Sequence, residues 1–177
     1  LTAAYFLTRE GHKVTIYEGM PETGGMLRYG IPEYRLPGDI IDKEVGLIEA
    51  MGVDIKTNHR LGRDISLDHL QNHYDAVFLG IGAWQSSSLR CQGEDMPGVY
   101  GGIDFLRQVT QNKPIQLGQK VLVVGGGNTA MDAARTAVRL GAKEVRVLYR
   151  RTRAEMPAED IEVIEAEEEG VQFHFLV

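Results

Sequence analysis

With 177 residues, 43% of them hydrophobic, the chain can bury a core for one domain or for parts of two. A net charge of −6 with no basic face beyond one short arginine cluster speaks against nucleic acid as a partner. Cys91 is the only cysteine and no apolar run reaches membrane length, which excludes an internal disulfide, a Cys-x-x-Cys pair, an iron–sulfur site and a spanning helix within these residues, and makes a soluble, cytoplasmic setting the default expectation.

Residues 1–9 read as a helix, with Ala3, Ala4 and Leu7 on one side and Gly11 as its stop. Residues 14–17 form a strand that ends on Glu18. Residues 24–37 are a loop dense in glycine, proline and tyrosine. Gly24-Gly25 there permits close backbone approach, and Arg28 and Arg35 are candidates to meet phosphate or flavin oxygens; a plain surface turn is the alternative. Asp39 is placed to cap a helix running to about residue 51, with Ile40, Ile41, Val45 and Ile48 at core spacing. A short strand follows at 53–55, then a weak helix at 66–72. His69 and His73, four residues apart, lack a third ligand at metal spacing and fit a solvated face. Residues 74–79 are predicted as another strand, closed by Gly80-Ile81-Gly82-Ala83, and 104–111 as a helix.

The next stretch is the most informative. Residues 120–124 form an apolar run long enough for a buried strand, and Gly125-Gly126-Gly127-Asn128-Thr129-Ala130 follows at once. An alanine-rich helix from Met131 to Leu140 stops at Gly141, and residues 145–149 form a second strand ending on Arg150-Arg151. This is a complete βαβ unit with the dinucleotide pattern G-x-G-x-x-A at Gly125, Gly127 and Ala130. Gly125 permits the tight turn, Gly127 lets the backbone approach a pyrophosphate, and Ala130 lets helix and strand pack closely. The helix N-terminus offers free N–H groups to the phosphates. Arginine at the end of the second strand accommodates a 2′-phosphate, whereas an acid there binds ribose hydroxyls. Arg150 and Arg151 therefore favour NADP(H); a solvated basic loop is the plain alternative. Beyond them, Pro157 is placed to open a helix running to about residue 169, with Ile161, Ile164 and Glu168 aligned and its acids forming a solvated face. A final parallel strand is expected at 171–177.

The two charged strand ends form a pair. Glu18 ends the first unit and suits an unphosphorylated adenosine, as in FAD; Arg150 ends the second and suits NADP. The spacing that separates Ala130 from Gly141, counted back from Gly11, falls before Leu1. The first unit's glycine loop is therefore expected outside this sequence, which reads as an internal fragment.

Gly24-Gly25-Met26-Leu27-Arg28-Tyr29-Gly30-Ile31-Pro32-Glu33-Tyr34-Arg35-Leu36-Pro37, then Gly80-Ile81-Gly82-Ala83, then Gly125-Gly126-Gly127-Asn128-Thr129-Ala130-Met131-Asp132, then Tyr149-Arg150-Arg151-Thr152-Arg153-Ala154-Glu155-Met156-Pro157 occur in this order. Together they resemble the small (β) subunit of NADPH-dependent glutamate synthase and related FAD/NAD(P)-dependent oxidoreductases. The resemblance implies a Rossmann-like α/β flavoprotein with two dinucleotide-binding domains, the FAD domain interrupted by the NADPH domain and both truncated here. Residues 1–102 would be the partial FAD domain with its crossover, and 103–177 the partial NADP domain. Glu18 would hold the FAD ribose, Gly25, Met26 and Arg35 the flavin or its phosphates, and Leu61 the adenine side, with Gly82 near FAD at the crossover. Gly125, Gly127, Asn128, Thr129 and Ala130 would cradle the NADPH pyrophosphate, and Arg150 and Arg151 its 2′-phosphate. The implied activity is hydride transfer from NADPH to FAD with no catalytic acid–base residue, then electron flow to iron–sulfur clusters in another segment or subunit and to a larger catalytic subunit, as in glutamate synthase. The alternatives are a ferredoxin-type oxidoreductase subunit of another complex, or a non-catalytic nucleotide-binding fragment.

Overall fold

Parallel strand pairing organises both halves of the molecule. The computed structural model describes residues 1–177, and the chain divides into two units, Leu1–Ala83 and Trp84–Val177. The connection from Trp84 onward groups with the second unit.

The first unit runs α1 (Thr2–Arg9), β1 (Thr15–Tyr17), α2 (Met26–Tyr29), α3 (Gly38–Ala50), β2 (Asp54–Lys56) and α4 (Leu67–His73). β1 and β2 pair in parallel, with Thr15 opposite Asp54 and Tyr17 opposite Lys56. Parallel neighbours require a crossover, and α3 supplies it, burying Ile41 and Val45. Asp39 does not cap α3. Pro37 occupies the cap, and Asp39 lies in the first turn, paired with Lys43 one turn on. Ser66 does cap α4, its hydroxyl accepting from the His69 N–H at 3.1 Å. The strand expected at 74–79 does not form: residues 75–83 carry no regular structure, and Phe78 is 75% exposed. No strand hydrogen-bonds this segment, and an apolar run becomes a strand only where a neighbour takes its backbone groups. Tyr74 is held instead by its hydroxyl, 2.9 Å from that of Tyr17.

The second unit runs α5 (Gly102–Thr110), β3 (Lys120–Val124), α6 (Asn128–Arg139), β4 (Glu144–Tyr149), a 3₁₀ turn at Arg153–Glu155, α7 (Asp160–Glu168) and β5 (Gln172–Phe175). Its sheet is wholly parallel in the order β3-β4-β5. Small residues let α6 sit close on that sheet: Ala133, Ala134 and Ala137 are buried with Met131, against Val145 and Val147 of β4. Val163 and Ala166 of α7 and Phe105 and Leu106 of α5 complete the core. No helix is long and apolar enough to cross a membrane.

The helix after the arginine cluster differs from expectation in three ways. It begins at Asp160 behind Glu159, because the 3₁₀ turn at Arg153–Glu155 and Pro157 take up the preceding residues. Its buried face is Glu162, Val163 and Ala166, whereas Ile161 and Ile164 are exposed. Its acids are not all solvated. Arg135 of α6, only 6% exposed at its side chain, meets Glu162 at 3.1 Å, Glu165 at 2.6 Å and Glu169 at 2.8 Å. Arg139 shares Glu169 at 2.8 Å. A guanidinium buried in a helix interface needs carboxylates, and α7 brings three. Burial acts to raise the Glu169 carboxyl, but hydrogen bonds from Arg139 and Arg135 outweigh it and hold the group below the usual glutamate range.

Removing one partner of a buried ion cluster leaves the others uncompensated. Arg135→Met is therefore expected to destabilise the second unit by about 3–5 kcal/mol at neutral pH. A carboxylate with a lowered folded-state pKa stabilises above its ordinary range and loses that contribution as pH falls through the lowered value. Denaturation of wild type and variant at neutral and acidic pH should show the gap narrowing towards acid; a gap independent of pH would contradict the ionic origin.

Candidate functional site

The C-terminal ends of β3 and β4 meet at one edge of the sheet. The register pairs Val124 with Leu148, and the Gly125 N–H donates to the Leu148 carbonyl at 3.1 Å. The glycine turn therefore emerges directly beside Tyr149, Arg150 and Arg151.

The three glycines have separate causes. Gly125 has φ +148°, and a Cβ there would lie 3.3 Å from that of Ala130; backbone conformation and close helix packing both favour glycine. A Cβ on Gly126 would lie 2.6 Å from ring atoms of Tyr149, so this glycine makes room for a side chain of the protein itself. A Cβ on Gly127 would meet nothing nearer than Pro157 Cγ at 3.9 Å. Protein packing does not require a glycine at 127, and the space it leaves is at the N-cap of α6. The N–H groups of the first turn of a twelve-residue helix face that space with the positive end of its dipole.

The residues around the turn are tied down. The Ala158 N–H donates to the Gly126 carbonyl at 3.0 Å, and Asn128 Oδ1 accepts from the Glu159 N–H at 3.0 Å. The Asn128 side-chain carbonyl is thus engaged by the protein, leaving its backbone N–H for the turn. Thr129 sets its methyl against the start of α5, where a Cβ on Gly102 would come within 3.3 Å. Arg153 pairs with Glu167 at 2.5 Å. Arg150 and Arg151 are exposed, and neither side chain makes a hydrogen bond or ion pair within the chain; only the Arg151 carbonyl is engaged, accepting from the Leu176 N–H at 3.3 Å. The basic cluster is therefore sorted into one committed arginine and two free ones.

The first unit brings Glu18 and the segment that carries Leu61 together at the end of β1. Glu18 Oε1 accepts from the Met20 N–H at 2.8 Å, leaving the other oxygen without a partner. The Glu18 N–H donates to Lys56 and its carbonyl accepts from His59, which brings the 56–61 segment alongside. Leu61 is half-buried and bridges to Ile65. Gly25, at φ +55°, precedes α2, and a Cβ there would meet nothing within 4 Å. Met26 folds back over Gly30. Arg35 is exposed in the turn after Pro32, and Gly82 is exposed at φ +71°. Arg28 is not available to a ligand. Its side chain, 10% exposed, is taken up by Asp42 and Glu22 and by an Nε bond to the Thr23 carbonyl at 2.6 Å, and so bolts the loop instead.

Sequence reasoning missed Tyr149. It heads the arginine motif, but nothing in the sequence gives it a role of its own; its contact with Gly126 does.

A family model for pyridine nucleotide-disulphide oxidoreductases matches residues 1–177. The chain belongs to that family. Among curated proteins it is 52% identical over 180 residues to an NADP(+)-dependent formate dehydrogenase subunit beta of Moorella thermoacetica, covering 100% of this chain and 26% of that protein. It is 50% identical to an NADPH-Fe(3+) oxidoreductase subunit beta of Geobacter sulfurreducens, covering 100% and 27%. It is 42% identical to the glutamate synthase [NADPH] small chain of Escherichia coli, covering 100% and 40%. The chain thus spans about a quarter to two fifths of these relatives. In fold it is similar to Mycobacterium tuberculosis FprA in complex with NADPH, with TM-score 0.79, 23% identity, and coverage of 95% and 44%. The resemblance to the glutamate synthase small subunit and to NADPH-dependent β subunits holds over the whole chain. The disulphide chemistry in the family's name is not carried by a cysteine pair here, since Cys91 stands alone and exposed.

Two alanine substitutions separate fold from ligand. Gly126→Ala is expected to lower stability by about 1–3 kcal/mol through overpacking against Tyr149. Gly127→Ala, at φ −98° and ψ 173°, is expected to leave the melting temperature nearly unchanged yet weaken NADPH about tenfold or more, since 1.4 kcal/mol is tenfold. Calorimetric melting and cofactor titration of each variant check this.

Proposed function

We propose that the chain is part of the electron-input module of an NADPH-dependent flavin oxidoreductase, its second unit binding NADP(H) and its first contributing to FAD binding. The observation that carries this is the open cradle at Gly127 beside two uncommitted arginines, Arg150 and Arg151, at the end of β4. The N–H groups at the start of α6 suit a pyrophosphate, and two guanidinium forks suit a phosphate dianion. Gly125, Asn128, Thr129 and Ala130 shape that turn. On the other unit, the free oxygen of Glu18 suits a ribose hydroxyl, and the open backbone at Gly25 suits close approach of a flavin nucleotide. Met26, Arg35, Leu61 and Gly82 belong to the same FAD reading, with residues 1–102 as the partial FAD domain and 103–177 as the partial NADP domain.

Held by the turn at Gly127 with Arg150 and Arg151, and by Glu18 and Gly25, the two cofactors would supply the hydride chemistry, the nicotinamide as donor and the flavin as acceptor. The residues of this chain bind and orient; none is needed as acid or base. Single-electron carriers such as iron–sulfur clusters would lie in another segment or subunit, together with a larger catalytic partner, in a cytoplasmic complex. Glutamate synthase is one such complex. Identity is higher to the β subunits of a formate dehydrogenase and an iron(III) oxidoreductase than to the glutamate synthase small chain, which favours an electron-input subunit of another complex as the second reading.

Replacing both Arg150 and Arg151 with alanine in the full-length protein should weaken NADPH roughly ten- to several-hundred-fold, since a charged hydrogen bond contributes about 1.5–3 kcal/mol and solvent screening puts an exposed phosphate contact at the lower end. NADH should change little, and the NADPH loss should shrink at high salt. Equal weakening of both cofactors would assign the arginines to the fold or the pyrophosphate and remove the NADP reading.

A further inference from the structure

Tyr149 is the last residue of β4 and stands immediately ahead of Arg150 and Arg151. Its ring occupies the space that a Cβ on Gly126 would need. Its hydroxyl donates to the Glu155 carbonyl at 2.8 Å. Glu155 closes the turn that begins at Thr152, its N–H donating to the Thr152 carbonyl at 3.1 Å and its carboxylate accepting from the Thr152 N–H at 3.1 Å. One side chain thus spans from the glycine turn to the far end of the arginine loop. Two further bonds return the loop to the same turn, Ala158 to Gly126 and Glu159 to Asn128. The two free arginines are held between these anchors.

We infer that Tyr149 is a positioning residue for cofactor choice: braced on Gly126 and bonded to Glu155, it sets the arginine loop at a fixed height over the glycine turn, so that a dinucleotide seated on the turn presents its 2′-phosphate to Arg150 and Arg151. The inference rests on the NADP reading of the second unit and deepens it. A loop freed from the turn must be ordered when the phosphate binds, which costs affinity. NADH makes no such contact, so the loosening acts on NADPH alone. Gly126 is on this account the counterpart of a tyrosine rather than of a phosphate, and the pair should behave as a unit.

The test is the ratio of NADH to NADPH dissociation constants in the full-length protein, for wild type, Tyr149→Phe, Tyr149→Ala, Gly126→Ala and the Gly126→Ala/Tyr149→Ala double variant. Tyr149→Phe keeps the ring and loses one hydrogen bond, and should lower the ratio about two- to tenfold. Tyr149→Ala should lower it further. Gly126→Ala should lower it in the presence of the tyrosine and add little in its absence, as coupled neighbours do. A ratio unchanged in Tyr149→Phe overturns the inference even if the alanine variant does not fold. Equal weakening of NADPH and NADH in Tyr149→Phe and Tyr149→Ala overturns it too, because the tyrosine would then serve the fold alone. A wild-type protein with no preference for NADPH overturns the NADP reading itself, and the inference with it.

Discussion

The parallel ladder between β3 and β4 is the constraint on which the rest of the second unit depends. It ends both strands at one edge, with the Gly125 N–H on the Leu148 carbonyl. Slipping a strand by one residue turns every side chain to the other face. Tyr149 would then leave Gly126, and the arginine loop would lose its seat over the turn. The ladder is in turn held from one side by α6, whose alanines allow an approach that larger side chains would block, and by the Arg135 cluster that locks α6 to α7.

Charge is allocated by the same geometry. α7 carries a surplus of acids, and these take up Arg135, Arg139 and Arg153. An arginine already paired must surrender its carboxylate before it can hold a phosphate, so committed arginines make poor phosphate ligands. Arg150 and Arg151 precede the turn that turns Arg153 towards Glu167, and escape that pairing. In the first unit Arg28 is similarly committed, to Asp42 and Glu22. The glycines divide in a parallel way. Gly125 answers to backbone and helix packing, Gly126 to a tyrosine, and Gly127 leaves space that no protein atom fills.

Much of this was legible in the sequence because it is local. The βαβ unit at 120–149 follows from an apolar run, a glycine turn, an alanine-rich helix and a second apolar run, and the structure forms each in that order. What was not legible depends on partners far along the chain. The 74–79 run has strand composition but no neighbour to pair with, so it stays irregular. Ile161 and Ile164 share a helical stripe, yet Glu162 takes the buried face because Arg135 waits there. Pro157 has the right residue type for a helix start, but the Thr152–Glu155 turn and the Ala158 bond to Gly126 hold its surroundings out of helix. The contact of Tyr149 with Gly126 was not legible either, since it joins a ring and a glycine 23 positions apart.

The central proposal is that NADPH, in preference to NADH, delivers its electrons to a flavin in the protein that contains this chain. The most direct measurement is anaerobic, stopped-flow titration of the full-length protein with each nicotinamide, following the flavin absorbance. NADPH should bleach the flavin band rapidly and at low concentration, and NADH only weakly. A protein that neither carries nor takes up flavin, or one whose flavin is bleached equally by both cofactors, would contradict the account.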